Sequence, residues 1–324
     1  MPRSSRIQWS RVAVYWAVLT FGLVLLWSIA LNLLNLSGVG PAITLVFPAL
    51  LGALLAFLLY RMHLRQILEY DDVGYSITKG ARGVEEHKWL DFKECSVLRD
   101  SYGSKVRVYR ERDRDHSDVD SKACGIDPYA FRDFVSSRIN SDTSTVSTPE
   151  IFSGLEKEIQ RGRAYWVADL NETFKLYQIS GEVFPLMARG NTRPKGFVLS
   201  RFVAVTIMPN YEVALYAHEL GGSELARSRM MHLVRIIETM RDQKNIKWSW
   251  LLLFSNEEPP ESIVRVIEEF TNEDIGIGCI DIGTGKLVTS RNQLGRSLLG
   301  QMHFNNLIRD LRRRKLLQAG LSAI

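Results

Sequence analysis

Two uninterrupted apolar runs dominate the start of the chain, and short alternating runs follow them. Residues 12–34 contain no charged side chain and only weakly polar interruptions such as Thr20, Ser28 and Asn32. A helix rises about 1.5 Å per residue, so this run is long enough to cross a hydrocarbon core of roughly 30 Å. Residues 35–41 carry Gly38, Gly40 and Pro41 and break the pattern, after which residues 42–60 form a second apolar run. The pairing predicts a two-helix transmembrane hairpin with an external loop at 35–41. The first run is too long for an ordinary signal core and is followed at once by another, so both are expected to be retained. Neither run holds an ionised residue that would mark a transport or proton path.

Beyond residue 60 the grain shortens. Alternation predicts strands over 73–78, 84–89, 95–99 and 105–109, with the last two forming a hairpin across Ser101–Ser104. The segment 111–122 is rich in charge and reads as a solvated loop. DPYAFRDFVSSRI closes this region as a helix capped by Asp127 ahead of Pro128, packing Phe131, Phe134, Val135 and Ile139 on a sheet. A Ser/Thr/Asp-rich linker at 141–150 leads into a second region, 151–306. There IFSGLEKEIQRG reads as a helix with Ile151, Phe152, Leu155 and Ile159 on its apolar face. YWVADL and TFKLYQI read as a hairpin around Asn171, and a loop holds Arg189, Gly190, Arg193, Pro194 and Gly196. FVLSRFVAVTIM and VALYAHE read as a further strand pair. The spacing then predicts a helix over 223–243, a buried strand WSWLLLF, a helix over 260–270 and a strand IGIGCIDI turning through Gly283 and Gly285 into KLVTS. Such an order is best satisfied by a mixed sheet covered by helices.

Charge adds orientation. The chain has 324 residues and a formal net charge of +5. Arg3, Arg6 and Arg11 form a basic arm, 1–11, before the first run, and Arg61, His63 and Arg65 follow the second, while the connecting loop is uncharged. The positive-inside tendency places both termini in the cytoplasm, with the chain a two-span protein of the cell membrane. Trp9, Tyr15, Trp16 and Tyr60 suit the headgroup level, and Ala49, Gly52, Ala53 and Ala56 offer small surfaces for packing on the first helix or on another copy. The tail 307–324 carries Arg309, Arg312, Arg313, Arg314 and Lys315 among leucines. This basic amphipathic segment suits either packing of its aliphatic residues on the preceding domain with the basic face solvated, or contact with anionic lipid, the latter favoured over nucleic acid because the helices hold it near the bilayer. Cys95, Cys124 and Cys279 are widely spaced and odd in number, which gives no disulfide framework and no zinc site.

The stretch YDDVGYSITKG, the following WLDF and the closing YAFRDFV helix resemble the bacterial-type pleckstrin-homology-like (PH-like) domains found after membrane helices. The resemblance implies a compact, mostly-β interaction or assembly module over 61–140. WSWLLLFSNE, PESIVRVIEEF and IGIGCIDIGTGKLV resemble the later units of a restriction-endonuclease-like α/β domain. That family implies a metal-binding acid beside an acid-x-Lys element. Glu212 and Glu219 flank VALYAHE here, with Asp169 and Asp281 further off, but neither glutamate begins an acid-x-Lys triplet. Other constellations are weaker. Asp113, Asp115, Asp118 and Asp120 lack the Gly and Glu of a calcium loop. His218, Glu219 and His232 lack HExxH spacing, Ser223 lacks a nucleophile elbow, and GTGK at 283–286 lacks a full phosphate loop. No catalytic residue, cofactor or metal site is therefore assigned. The sequence predicts a membrane-anchored adaptor or regulator with a protein partner or self-association; the alternative is a membrane-tethered nuclease or nucleic-acid regulator.

Overall fold

The computed structural model describes residues 3–4, 9–33, 41–59, 66–80, 83–100, 103–111, 115–139, 150–161, 168–192, 196–200, 203–206, 211–221 and 227–301, and structural statements below concern these. The chain divides into two compact units, one of residues 1–95 and 103–141, the other of 96–102 and 142–324. The expected loop 35–41 lies almost wholly outside the described residues, and the linker 141–150 does so up to Glu150. Ser223 and the basic tail 307–324 also lie outside them.

The first unit opens with a two-residue strand, β1 (Arg3–Ser4), followed by α1 (Trp9–Leu33) and α2 (Pro41–Leu59). Within α1 the segment Val12–Ala30 is long and apolar enough to cross a membrane, and Val14, Val18, Phe21, Leu25, Leu26 and Ile29 are exposed along it. Among the described residues the apolar stretch of α2, Val46–Leu59, is shorter than a full crossing. The expectation of two crossings is thus met by one helix among the described residues. The two helices pack together. Trp16 Nε1 donates to the Ala49 carbonyl at 3.1 Å, and the Trp27 and Phe47 rings lie 5.3 Å apart. Pro48, Gly52 and Ala56 form the buried stripe of α2. A Cβ added at Gly52 would come 2.5 Å from Thr20 Oγ1, so glycine is what lets α2 approach α1 this closely. At Gly52 the small surface is used within the chain.

Strands β2 (Gln66–Tyr70), β3 (Gly74–Lys79) and β4 (Val84–Lys88) form an antiparallel sheet, and β1 adds to its β2 edge with Arg3 opposite Glu69 and Ser4 opposite Leu68. A single 3-10 turn, Trp89–Asp91, precedes β5 (Glu94–Asp100), whose first two residues belong to this unit. β6 (Gly103–Tyr109) and β7 (His116–Asp120) pair as a hairpin, followed by the short α3 (Ser121–Cys124) and by α4 (Pro128–Ile139). Alternation on each strand sends one face inward. Leu68, Tyr75 and Ile77 from the sheet meet Val106, Val108 and Val119 from the hairpin, and Phe131 and Val135 of α4 close the core. Asp127 accepts from Tyr129 N at 2.9 Å, the cap expected from its place before Pro128. The charged segment expected to be one loop instead contains β7. Its alternation is visible only once Asp118 is recognised as a partner of Arg107 across the hairpin, at 2.8 Å and 3.0 Å. Asp120 caps α3 through Ala123 N, and Asp115 pairs with Arg110.

The second unit begins with α5 (Glu150–Gln160), then β8 (Ala168–Ile179) and β9 (Glu182–Thr192). β10 (Gly196–Ser200) and β11 (Val203–Thr206) pair only with each other. β12 (Glu212–Leu220), α6 (Arg227–Lys244), β13 (Trp248–Ser255), α7 (Glu261–Glu268), β14 (Ile275–Asp281), β15 (Leu287–Thr289) and α8 (Gln293–Gln301) complete it. The sheet order is β15–β14–β13–β12–β9–β8, and the Ser96–Leu98 part of β5 pairs with β8. β12, β13 and β14 are mutually parallel, while the β8–β9–β12 meander and β15 are antiparallel to their neighbours. The mixed sheet with helices is therefore as expected. Val213, Leu215 and Ala217 of β12 and Trp250, Leu252 and Phe254 of β13 bury one face against α5 and α8. Each such large side chain contributes about 1.5–3 kcal/mol on burial.

Three local expectations are overturned. Asn171 is not a hairpin turn: the chain runs through it as β8, with a bulge between Leu170 and Glu172, and turns instead at Ser180–Gly181, where both φ values are positive (50° and 82°). Arg189 and Gly190 lie in β9 rather than in a loop. β10 and β11 pair with each other, and β12 pairs with β9 and β13 instead of with them. The first two follow from reading a bulge or a loop-forming residue as a strand end, the third from pairing strands that are neighbours in sequence.

Candidate functional site

The four carboxylates that the sequence offers for metal chemistry fall into two pairs. Asp169 and Glu212 both stand opposite Asn191, at one end of the meander. Glu219 is near the far end of β12 and Asp281 ends β14, beside Ser255. Seven residue steps of extended strand lead from Glu212 to Glu219, roughly 23 Å at about 3.3 Å per step. The four acids therefore do not share a cleft. Three of them serve the fold through contacts that can be named. Asp169 pairs with Arg99, and Glu219 accepts from Asn256 Nδ2 at 3.0 Å. Asp281 is 2 % exposed and holds the GTGK turn by accepting from Gly283 N at 2.7 Å and from the Thr284 hydroxyl. The turn expected at 283–286 is thus present, with Asp281 as its organiser. Among the described residues no group of three or more His, Cys, Asp and Glu side chains is placed to hold a metal ion.

His218 and Glu219, being adjacent on β12, point to opposite faces of the sheet, and His232 is exposed on α6. What His218 meets instead is Glu182, at the start of β9. Its Nε2 lies 3.0 Å from Glu182 Oε1, and Arg229 of α6 donates to both oxygens of that carboxylate at 2.6 Å and 2.7 Å. Burial alone would raise the Glu182 carboxyl, but the hydrogen bonds from Arg229 and His218 outweigh it and hold the group below its ordinary value. His218 stands edge-on to Phe184, with its Nδ1 buried and without a hydrogen-bond partner. Since a carboxylate oxygen only accepts, Nε2 is the nitrogen that donates here. The triad ties the β8–β9 turn and the end of β12 to the first turn of α6.

A second polar cluster sits under α5 and was not foreseen. Glu172 is 4 % exposed, yet both its oxygens are engaged: Ser96 Oγ donates to one at 2.6 Å and Arg189 Nε to the other at 2.7 Å. Arg189 also lies over the Phe174 ring, 5.1 Å from its centroid. On the neighbouring residue, Thr173 Oγ1 donates to Glu156 at 2.7 Å and accepts from Gln160 Nε2 at 3.0 Å. Gln160 Nε2 also reaches the Val97 carbonyl at 3.1 Å, and Arg99 donates to the Gln160 carbonyl at 2.6 Å. Glu156 and Gln160 are four apart on the face of α5 that carries Phe152 and Ile159, which is the signal the sequence held. Two polar residues on an apolar helix face imply buried partners. Together these bonds fix α5 and β5 to β8 and β9.

The three cysteines are free and buried; burial pushes the thiols of Cys124 and Cys279 up to about 12, far from a reactive thiolate. The chain matches no protein-family model, no curated protein and no solved structure. What the fold defines by itself is a chain with an apolar N-terminal helix, a mostly-β unit and a mixed-sheet α/β unit.

Proposed function

We propose that this chain is a membrane-anchored adaptor or regulatory protein that acts through contacts and not through turnover. Both outer ends of the helix pair face the cytoplasm, and the two units work there. The observation that carries the anchor reading is the pairing of β1 with β2. β1 precedes α1 and β2 follows α2, so the strand pair brings the two outer flanks together, as a hairpin with both ends on one side requires. The PH-like reading of the first unit draws support from an antiparallel sheet and a hairpin around one core, closed by the helix α4. The interaction reading draws support from the polar clusters, whose charges are spent on positioning elements.

The rival reading, a membrane-tethered nuclease or nucleic-acid regulator, draws support from the order α5–β8–β9–β12–α6–β13, a helix and a meander followed by a crossover helix and a parallel strand. The separation of Glu212 from Glu219 counts against it. A photo-crosslinking experiment on the full chain in its membrane, with bound proteins identified, tests the proposal beside an assay for divalent-metal-dependent cleavage of DNA and RNA. A specific crosslinked partner without cleavage is the expected result. Reproducible cleavage, lost on Glu212→Gln or Glu219→Gln, with no partner recovered, sinks the adaptor reading.

A further inference from the structure

The ribbon between β9 and β12 stands apart from the sheet that carries it. Among the described residues β10 and β11 pair with each other and with no other strand. A two-stranded ribbon by itself is at best marginally stable in water, so it needs a cover. Its root is well defined. Thr192 N donates to the Tyr211 carbonyl at 2.8 Å and Tyr211 N to the Thr192 hydroxyl at 2.9 Å, which closes the sheet at the end where β12 starts. Tyr211 is 37 % exposed there, with its ring 6.5 Å from that of the half-buried Trp248.

Directly opposed residues share a face of a ribbon, and successive pairs alternate between faces. The positions of Phe197 and Val205 therefore lie on one face and those of Val198 and Ala204 on the other. Neither strand contains a charged residue. A ribbon lying on its own domain needs one apolar face, and this one has apolar positions on both. The sequence around it is basic without compensation: Arg193, Lys195 and Arg201 are the only charged residues between Asn191 and Glu212. The acids nearest the root are engaged within the fold. Asp169 pairs with Arg99, Asp274 with Arg241 and Lys247, and Glu212 also has a partner.

We propose that the β10–β11 ribbon seats in the headgroup layer of an anionic leaflet, with Tyr211 and Trp248 at the boundary between lipid and water. This deepens the anchored reading above and rests on it, because α1 is what keeps a bilayer within reach. Lipid suits both faces because it surrounds the ribbon, and anionic headgroups attract the three bases. An exposed tyrosine beside a tryptophan at the root suits the same boundary. The depth follows from the backbone. The outer N–H and C=O groups of a two-stranded ribbon need water or headgroups as partners, which keeps it out of the hydrocarbon core. The five residues of β10 are also too few for a crossing strand, which takes about nine to eleven.

Fluorescence quenching on the full chain in liposomes of phosphatidylcholine and phosphatidylserine tests the proposal. The native thiols are buried, so an environment-sensitive label reports from Leu25→Cys, Val198→Cys or Glu261→Cys, with the unsubstituted chain as background. Glu261 starts α7 beyond the other end of the parallel strands and is exposed. Lipid spin-labelled beside the headgroup is expected to quench at 198, lipid spin-labelled at mid-chain to quench at 25, and aqueous iodide to quench chiefly at 261. Adding Lys195→Gln to Val198→Cys is expected to lower the ratio of docked to free ribbon about fivefold in anionic vesicles and to leave it unchanged in neutral ones. An equal ratio in anionic vesicles contradicts the anionic leaflet. If the label at 198 meets iodide as freely as that at 261, or is shielded from iodide and lipid alike, the ribbon is in water or under protein and the proposal is overturned; lipid quenching at 25 in the same vesicles then shows that the anchor stands. Quenching by lipid at 198 without any at 25 refutes the anchor and keeps the ribbon as the membrane contact.

Discussion

At the scale of single residues, the fold spends its buried charges in pairs. Glu172 and Arg189 illustrate the cost: removing one partner strands the other in a place with little water, a loss of about 3–5 kcal/mol for a buried pair. Arg189 keeps 16 % of its side chain exposed, so the lower end of that range is expected for Arg189→Met, measured by thermal or denaturant unfolding in detergent. Glu172→Gln keeps the shape and the Ser96 bond and is expected to cost less. An equal loss for both would show that shape, not charge, sets the stability here. Glu182 gives a pH signature. Its folded-state pKa is lowered, so its contribution is complete above the unfolded value, near 4.5, and disappears as pH falls through the lower folded value. The melting temperature of the parent chain should therefore fall on acidification below that point, and the fall should be shallower in Glu182→Gln. Identical acid limbs would remove Glu182 from the list of stabilising carboxylates. None of these partners was legible by spacing, because Glu172 and Arg189 meet only through strand register, and Glu182 and Arg229 only where α6 packs beside the β8–β9 turn. The polar positions Glu156 and Gln160 on the apolar face of α5 were the readable exception.

Elements were more legible than their connections. α1, α4, α5, β13 and β14 follow directly from apolar periodicity, and the Asp127 cap from its place before Pro128. The β8–β9 meander was misread because Asn171 looks like a turn, whereas the chain absorbs it as a bulge and spends its true turn on Ser180–Gly181. Close approach of elements was hidden too, since it is written in glycines that resemble loop signals. A Cβ at Gly276 would lie 2.7 Å from the Leu294 carbonyl carbon, and one at Gly278 would lie 2.9 Å from Leu298 Cδ1, so the glycines of IGIGC admit α8 onto β14. Gly276→Val is expected to cost at least about 1–3 kcal/mol through overpacking, read as a lowered unfolding midpoint. In the N-terminal helix pair, Gly52→Leu is expected to push α2 from Thr20 of α1 while Gly22→Leu, whose Cβ would meet nothing within 4 Å, is tolerated. The comparison is made by proteolysis rate and melting temperature in detergent. Equal behaviour of the two variants would mean that the helix pair does not hold at Gly52.

Across the whole molecule, the sequence pattern separates an apolar N-terminus from two folded units, and the structure describes each unit around its own core. Residues 96–102 belong to the second unit although they lie inside the sequence of the first, an exchange that no local pattern announces, because β5 reads as an ordinary alternating strand. The dispersal of Asp169, Glu212, Glu219 and Asp281 was equally invisible, since each is an acid at a strand end and only the sheet order decides which ends meet. The central claim is that both flanks of the helix pair, and with them both units, face the cytoplasm. Sealed vesicles of defined orientation carrying the full chain with Pro2→Cys, Ser37→Cys or Glu261→Cys, probed with a membrane-impermeant maleimide, test it directly. The account predicts that positions 2 and 261 label only from the cytoplasmic face and position 37 only from the other; labelling of 2 and 261 from opposite faces contradicts it.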